Sequence, residues 1–302
     1  MKIVRKLVSM LLVFAMTFSM AISGKITGIT QVSAREALGS NDFLKVNGTQ
    51  IRKQKGTGDV VYLRGTNAGG WLVQEDWMNP TNASDQKTMM TTLANRFGTS
   101  KRDELVSTYE NNYWTTQDFD NCAEMGMSVI RLPFTYMNLC DDNGNLKSNA
   151  FDRLDWFVQN CSQRGMYVIL DMHGAFGSQN GSHNSGIYGG STNQQKKDNS
   201  NLFFGTDAST NQAKYLDMWL KIAQHYKDNP VVAGYDLLNE PMADYMNATD
   251  VTGTKAERLS TLWNVYDKSM DSVPIGSIKI TPPTANAGWG DYITKTIDLY
   301  EP

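Results

Sequence analysis

A parallel α/β architecture is predicted for this 302-residue chain by three observations. Helical and extended tracts alternate along nearly its whole length. The extended tracts, such as Met166–Leu170 and Val231–Leu238, are near-continuous apolar runs, the pattern of strands covered on both faces. Long polar loops follow the strands rather than precede them, and the C-terminal ends of parallel strands are where such folds keep their chemistry.

The elements follow in order. Phe43–Gly48 and Val60–Arg64 read as strands, with Gly56-Thr57-Gly58-Asp59 turning before the second. Helical tracts are expected at Lys87–Phe97 and Asp103–Glu110. Thr116–Met125 is a helix ended by Gly126, and Ser128–Leu132 is the next strand. Ala150–Arg164 carries Phe151, Leu154, Phe157, Val158 and Cys161 on one side, with Asn149 as its N-cap and Gly165 as its stop. Strand Met166–Leu170 leads into a loop from Gly174 to about Thr210, rich in Gly, Ser, Asn and Gln. Helix Gln212–Tyr226, strand Val231–Leu238 and helix Glu257–Met270 complete the alternation.

Composition narrows the class. With 40% hydrophobic, 20% charged and 10% aromatic residues, the chain is neither a disordered tract, a collagen-like repeat nor a polytopic membrane protein. Lys2, Arg5 and Lys6 precede an apolar run from Leu7 to Ile22, and Val32-Ser33-Ala34 offers a small-residue cleavage site. Residues 1–34 are therefore read as a secretory signal, with an extracellular product. Its removal takes away four cations (Lys2, Arg5, Lys6, Lys25) and no acid, moving the net charge from −3 to −7. Such a protein is a poor partner for nucleic acid or anionic membranes. Cys122, Cys140 and Cys161 are odd in number; Cys122 and Cys161 fall on apolar helix sides and read as small buried hydrophobes. No Cys-x-x-Cys or His-rich cluster suggests a metal, and no cofactor is expected.

Polar residues close each strand. Arg64-Gly65-Thr66-Asn67 is followed by Gly69-Gly70-Trp71; the later ends are Arg131-Leu132-Pro133-Phe134, Asp171-Met172-His173-Gly174 and Asn239-Glu240-Pro241. Arg131 alone could be a rim ion pair and His173 a satisfied core histidine. A carboxylate beside a strand-terminal Asn, with Pro ending the ladder, has no packing role.

From about Phe43 to Met270 this set resembles glycoside hydrolase family five, the cellulase-type family of (β/α)8 TIM barrels. Asn239-Glu240-Pro241 matches its acid/base motif, Arg131 its strand-two arginine and His173 its strand-three histidine. Leu63–Val73 and His173–Gly181 are similar to the exo-β-1,3-glucanase-like branch, with Phe176 where proline is usual. The resemblance implies a hydrolase of β-glucans, β-1,3 or β-1,4 linked, working by retention; a monomer is expected, though the sequence carries no signal of oligomeric state. Such enzymes use two carboxyls roughly 5 Å apart, one protonated donor and one nucleophile. By resemblance Glu240 is the proton donor, Asn239 binds the sugar 2-hydroxyl, Arg131 orients the attacking carboxylate and His173 lines the adjoining subsite. Trp71 or Trp77 is a candidate for stacking on a pyranose face, with a buried core tryptophan as the alternative. His183 and His225 read as solvated side chains.

The family's nucleophile is a glutamate at strand seven, yet after Glu240 the glutamates are Glu257 and Glu301 alone. Glu257 opens a helix and Glu301 is penultimate, so neither fits. A barrel of this type takes ~250 residues, whereas 62 residues follow Glu240 in the 302-residue chain. Ser277–Thr281 is a candidate fifth strand. The expectation is an incomplete barrel, about strands one to four or five with an N-terminal hairpin, over residues 35–272, then a divergent tail over 273–302. Poor stability and little or no hydrolysis follow, the chain otherwise acting as a carbohydrate-binding remnant.

Overall fold

The computed structural model describes residues 35–78 and 82–272. The signal segment 1–34 and the tail 273–302, with Ser277–Thr281 and Glu301, lie outside the described residues.

An antiparallel hairpin of β1 (Lys45–Asn47) and β2 (Gln50–Arg52) comes first. Four parallel strands then pair in chain order: β3 (Gly65–Asn67), β4 (Val129–Thr135), β5 (Tyr167–Gly174) and β6 (Val232–Asp236). Helices α1 (Gln86–Phe97), α2 (Thr99–Tyr113) and α3 (Thr116–Glu124) intervene between β3 and β4. The short α4 (Tyr136–Leu139) and α5 (Asp152–Gln163) connect β4 to β5; α6 (Asn193–Asp198) and α7 (Ala208–Tyr226) connect β5 to β6; α8 (Lys255–Ser272) follows. Among the described residues this is the sheet order of the first four units of a (β/α)8 barrel, with helices as the crossovers that parallel pairing requires.

The two faces of the sheet divide by residue parity, because successive strand side chains point opposite ways. Ile130, Leu132 and Phe134 of β4 and Val168, Leu170 and Met172 of β5 are all at most 2% exposed and belong to the main core with Leu154, Phe157, Tyr215, Trp219 and Ile222 of α5 and α7. The alternate residues Arg131, Asp171, His173 and Asp236 share the other face. There the N-terminal end is closed by Leu44, Val129 and Tyr167, and the C-terminal end is charged. The strands are thus not apolar on both faces.

Several boundaries move. The first barrel strand is Gly65–Asn67, while Val60 makes an isolated bridge to Arg52. Gly65 sets this register: a Cβ there would lie 1.6 Å from the Val129 carbonyl oxygen. Strands β4 and β5 run past Arg131 and Leu170, so Arg131 is the third of the seven residues of β4, whereas Asp171 and His173 lie inside the C-terminal half of β5. Pro133 is accommodated because β3 stops pairing at Arg131, leaving its N-terminal side without a ladder partner there. Helix α5 is capped at Phe151, and Asn149 contributes its carbonyl to the Asp152 amide rather than a side-chain cap. Gly165 stops this helix at φ +63°.

Cys122, Cys140 and Cys161 are free and buried, and burial pushes all three thiols up, Cys140 to about 11.

Candidate active site

Arg131 organises the charged end of the sheet. Its guanidinium donates to Asp236 Oδ2 through Nε (3.1 Å) and Nη2 (2.7 Å) and to Asn239 Oδ1 (3.0 Å), and pairs with Asp171 Oδ1 at 3.0 Å. Asp171 is wholly buried, between Arg131 and His173 Nδ1, 2.6 Å from its Oδ2. Burial raises the Asp171 carboxyl above its ordinary value, against the pull of His173 and Arg131.

His173 bridges two loops. Its Nε2 lies 3.2 Å from Asn239 Nδ2 and 3.6 Å from Glu75 Oε1. A neutral ring with its proton on Nδ1 accepts from Asn239; a charged ring turns Nε2–H toward Glu75. Burial lowers the imidazole pKa, but Asp171 and Glu75 outweigh it and hold the ring up at about 9. Burial likewise works to raise Glu75, and hydrogen bonds from His173 and Trp77 hold it below its ordinary value.

The polar loop after β5 packs into this end rather than lying in solvent. Ser178, Gln179, Asn180 and Ser185 are wholly buried. Gln179 donates to the carbonyls of His173 (2.7 Å) and Asn239 (2.9 Å) and accepts from the Ala175 amide (3.1 Å), tying β5 to the segment after β6. Glu240 follows one residue after Asn239, exposed, at φ +44°, with Oε2 accepting 2.8 Å from Asn184 Nδ2.

The structure brings Arg131, His173 and Asn239 into one hydrogen-bonded network and puts Glu240 next to it. Trp71 is corrected. It is 0% exposed, packs against Trp156 and Phe157 and donates its indole N–H to the Glu110 carbonyl (2.8 Å). It is a core residue with no face for a sugar. Trp77 is the exposed one, at 71%, its N–H on Glu75 Oε2 (2.6 Å). His183 is not simply solvated: Nδ1 lies 3.3 Å from Asp76 and 3.9 Å from Glu75. His225 stacks on Phe151 at 4.0 Å and meets Asp155. Glu257 forms a capping box with Thr254, accepting from its backbone N–H at 2.6 Å and donating its own to Oγ1 at 3.2 Å. Glu75 is the participant that sequence reasoning passed over. Its signal was its place two residues beyond the apolar stretch Trp71-Leu72-Val73, in Gln74-Glu75-Asp76. Among the described residues no three His, Cys, Asp or Glu side chains gather as a metal site.

A family description, cellulase (glycosyl hydrolase family 5), matches residues 81–270. The chain belongs to glycosyl hydrolase family 5. Relatives of this family member include a beta-xylosidase of Phanerodontia chrysosporium, 31% identical over 215 residues that make up 67% of this chain and 40% of that protein. A probable glucan 1,3-beta-glucosidase A of Aspergillus niger is 29% identical, over 69% of this chain and 50% of the relative. The chain thus spans between 40% and 50% of the length of these curated relatives. Two solved structures share the fold: that of AoRut (TM-score 0.54, 22% identity, 70% of this chain and 59% of that one) and that of rutinosidase from Aspergillus niger (TM-score 0.52, 21% identity, the same coverages).

Proposed function

We propose that residues 35–272 are the acid/base-bearing part of an exported, retaining β-glucan hydrolase, with Glu240 as its proton donor. The single observation that carries this reading is the placement of Glu240 one residue beyond Asn239, whose side chain is locked between Arg131 and His173 at the C-terminal end of the sheet. The glucan 1,3-beta-glucosidase names of the relatives support the substrate class. In this reading Asn239 and His173 bind the sugar beside the bond broken, and Arg131 orients the second carboxylate. Glu240 gives its proton to the leaving oxygen, and Trp77 replaces Trp71 as the aromatic platform. Residues 1–34 direct export, and the chain works as a monomer.

One observation favours a second reading, a non-catalytic carbohydrate-binding remnant. Glu257, the sole glutamate after Glu240 among the described residues, spends its carboxylate on the Thr254 cap. The two readings separate on laminarin and a nitrophenyl β-glucoside. Turnover well above background that collapses in Glu240→Gln supports the hydrolase. Binding without turnover, retained in Glu240→Gln, supports the remnant.

A further inference from the structure

Glu240 is held at both ends by two buried amides of the β5–α6 loop. Asn184, 8% exposed, donates Nδ2 to the carboxylate oxygen Oε2 at 2.8 Å. Asn180, 0% exposed, donates Nδ2 to the Glu240 carbonyl at 3.1 Å and also to Asn184 Oδ1 at 3.1 Å. Asn180 is itself fixed: its Oδ1 accepts from the Ser182 amide (2.9 Å), and its own N–H reaches Ser178 Oγ (3.3 Å). Each amide orientation is therefore dictated, since an oxygen must face Ser182 N–H and a nitrogen must face the Glu240 carbonyl. These contacts also hold Glu240 in the left-handed region, φ +44°, which a non-glycine residue occupies only when its surroundings impose it.

We propose that Asn184, set by Asn180, is a positioning residue for Glu240: it makes Oε2 the permanent acceptor and leaves Oε1 as the oxygen that carries the transferable proton. Resting on the proton-donor reading of Glu240, the relay is nevertheless a property of the carboxyl itself. An amide donor to Oε2 favours the ionised form, so losing it must raise the carboxyl's titration midpoint. The other charged groups around this end stay unaltered in the test: Arg131, Asp171, His173 and Asp236 on the strands, Glu75, Asp76 and His183 on the loops, and the Lys196–Asp244 pair.

The test is a carbon-13 NMR titration of the full chain labelled at glutamate carboxyls, with Glu240→Gln identifying the Glu240 signal. Asn184→Ala is expected to weaken the acid about threefold to tenfold, the effect of one hydrogen bond. Asn184→Asp, nearly isosteric, is expected to weaken it further by placing a charge against Oε2. Asn180→Ala should move the midpoint the same way as Asn184→Ala. Asn199→Ala, which removes a loop amide that donates to the Gly189 and Gln195 carbonyls, should leave it unmoved. An unchanged midpoint in Asn184→Asp overturns the relay, as does an equal shift in Asn199→Ala. The readout needs no turnover. A chain that cleaves no glucan but shows the Asn184 dependence keeps the relay and loses the functional reading; an active chain without the dependence loses only the relay.

Discussion

Replacing His173 with glutamine removes a titrating group whose ionisation is coupled to folding. In the folded chain Asp171 and Glu75 hold the imidazole at about 9, against an ordinary value of 6.5. Each unit of that difference is worth about 1.4 kcal/mol, so the charged ring contributes about 3 kcal/mol. Because the folded pKa lies above the unfolded one, this contribution is complete below pH 6.5 and is lost as the pH rises through about 9. The assay is urea unfolding followed by tryptophan fluorescence at steps from pH 6 to 10, on the parent chain and His173→Gln. The difference in unfolding free energy between the two is expected to shrink by about 3 kcal/mol across that interval. Groups without contact to His173 cancel, whereas Asp171 and Glu75 lose their partner in the variant and belong to the measured difference. A difference that stays flat from pH 6 to 10 refutes the assignment of a cationic ring held by two carboxylates.

Other outcomes follow from the same contacts. Arg131→Met leaves Asp171 buried without its guanidinium and should cost about 3–5 kcal/mol in urea unfolding; a loss under 1 kcal/mol would show the network to be dispensable. Trp71→Ala should cost about 3–5 kcal/mol as a core truncation, whereas Trp77→Ala should leave stability nearly unchanged and weaken oligosaccharide binding in a calorimetric titration. Glu240→Gly and Glu240→Ala lose the same carboxylate, but at φ +44° the glycine variant should be the more stable by about 1 kcal/mol. Equal stabilities would show that the backbone there carries no strain.

Much of this was legible in the sequence because strand periodicity and end chemistry coincide. His173 and the pair Asn239-Glu240 follow apolar runs, and that position puts them at one end of a parallel sheet; Arg131 lies within β4, opposite the last residue of β3. The parity of the charges was hidden: Arg131 pairs with both Asp171 and Asp236 across three strands, a pairing no single strand displays. The first strand was misplaced because Gly65, Thr66 and Asn67 are all exposed and carry no apolar signal; a glycine's lack of a Cβ, not hydrophobicity, decides it. Trp71 and Trp77 sit six residues apart in a segment without periodicity, so burial could not be told from the sequence. The Gly174–Thr210 loop shows only a polar composition in the sequence; in the fold its first part, with Ser178, Gln179, Asn180 and Ser185, is buried and bonded within itself and to the carbonyls of His173, Asn239 and Glu240.

The role given to Glu240 is tested most directly by exposing the chain and Glu240→Gln to laminari-oligosaccharides, reading heat of binding and reducing-end release in the same samples. Binding by both proteins is expected, with release by the parent reduced about 10²- to 10⁴-fold in the variant, the usual share of acid catalysis. Equal release by both, or no binding by either, would contradict it.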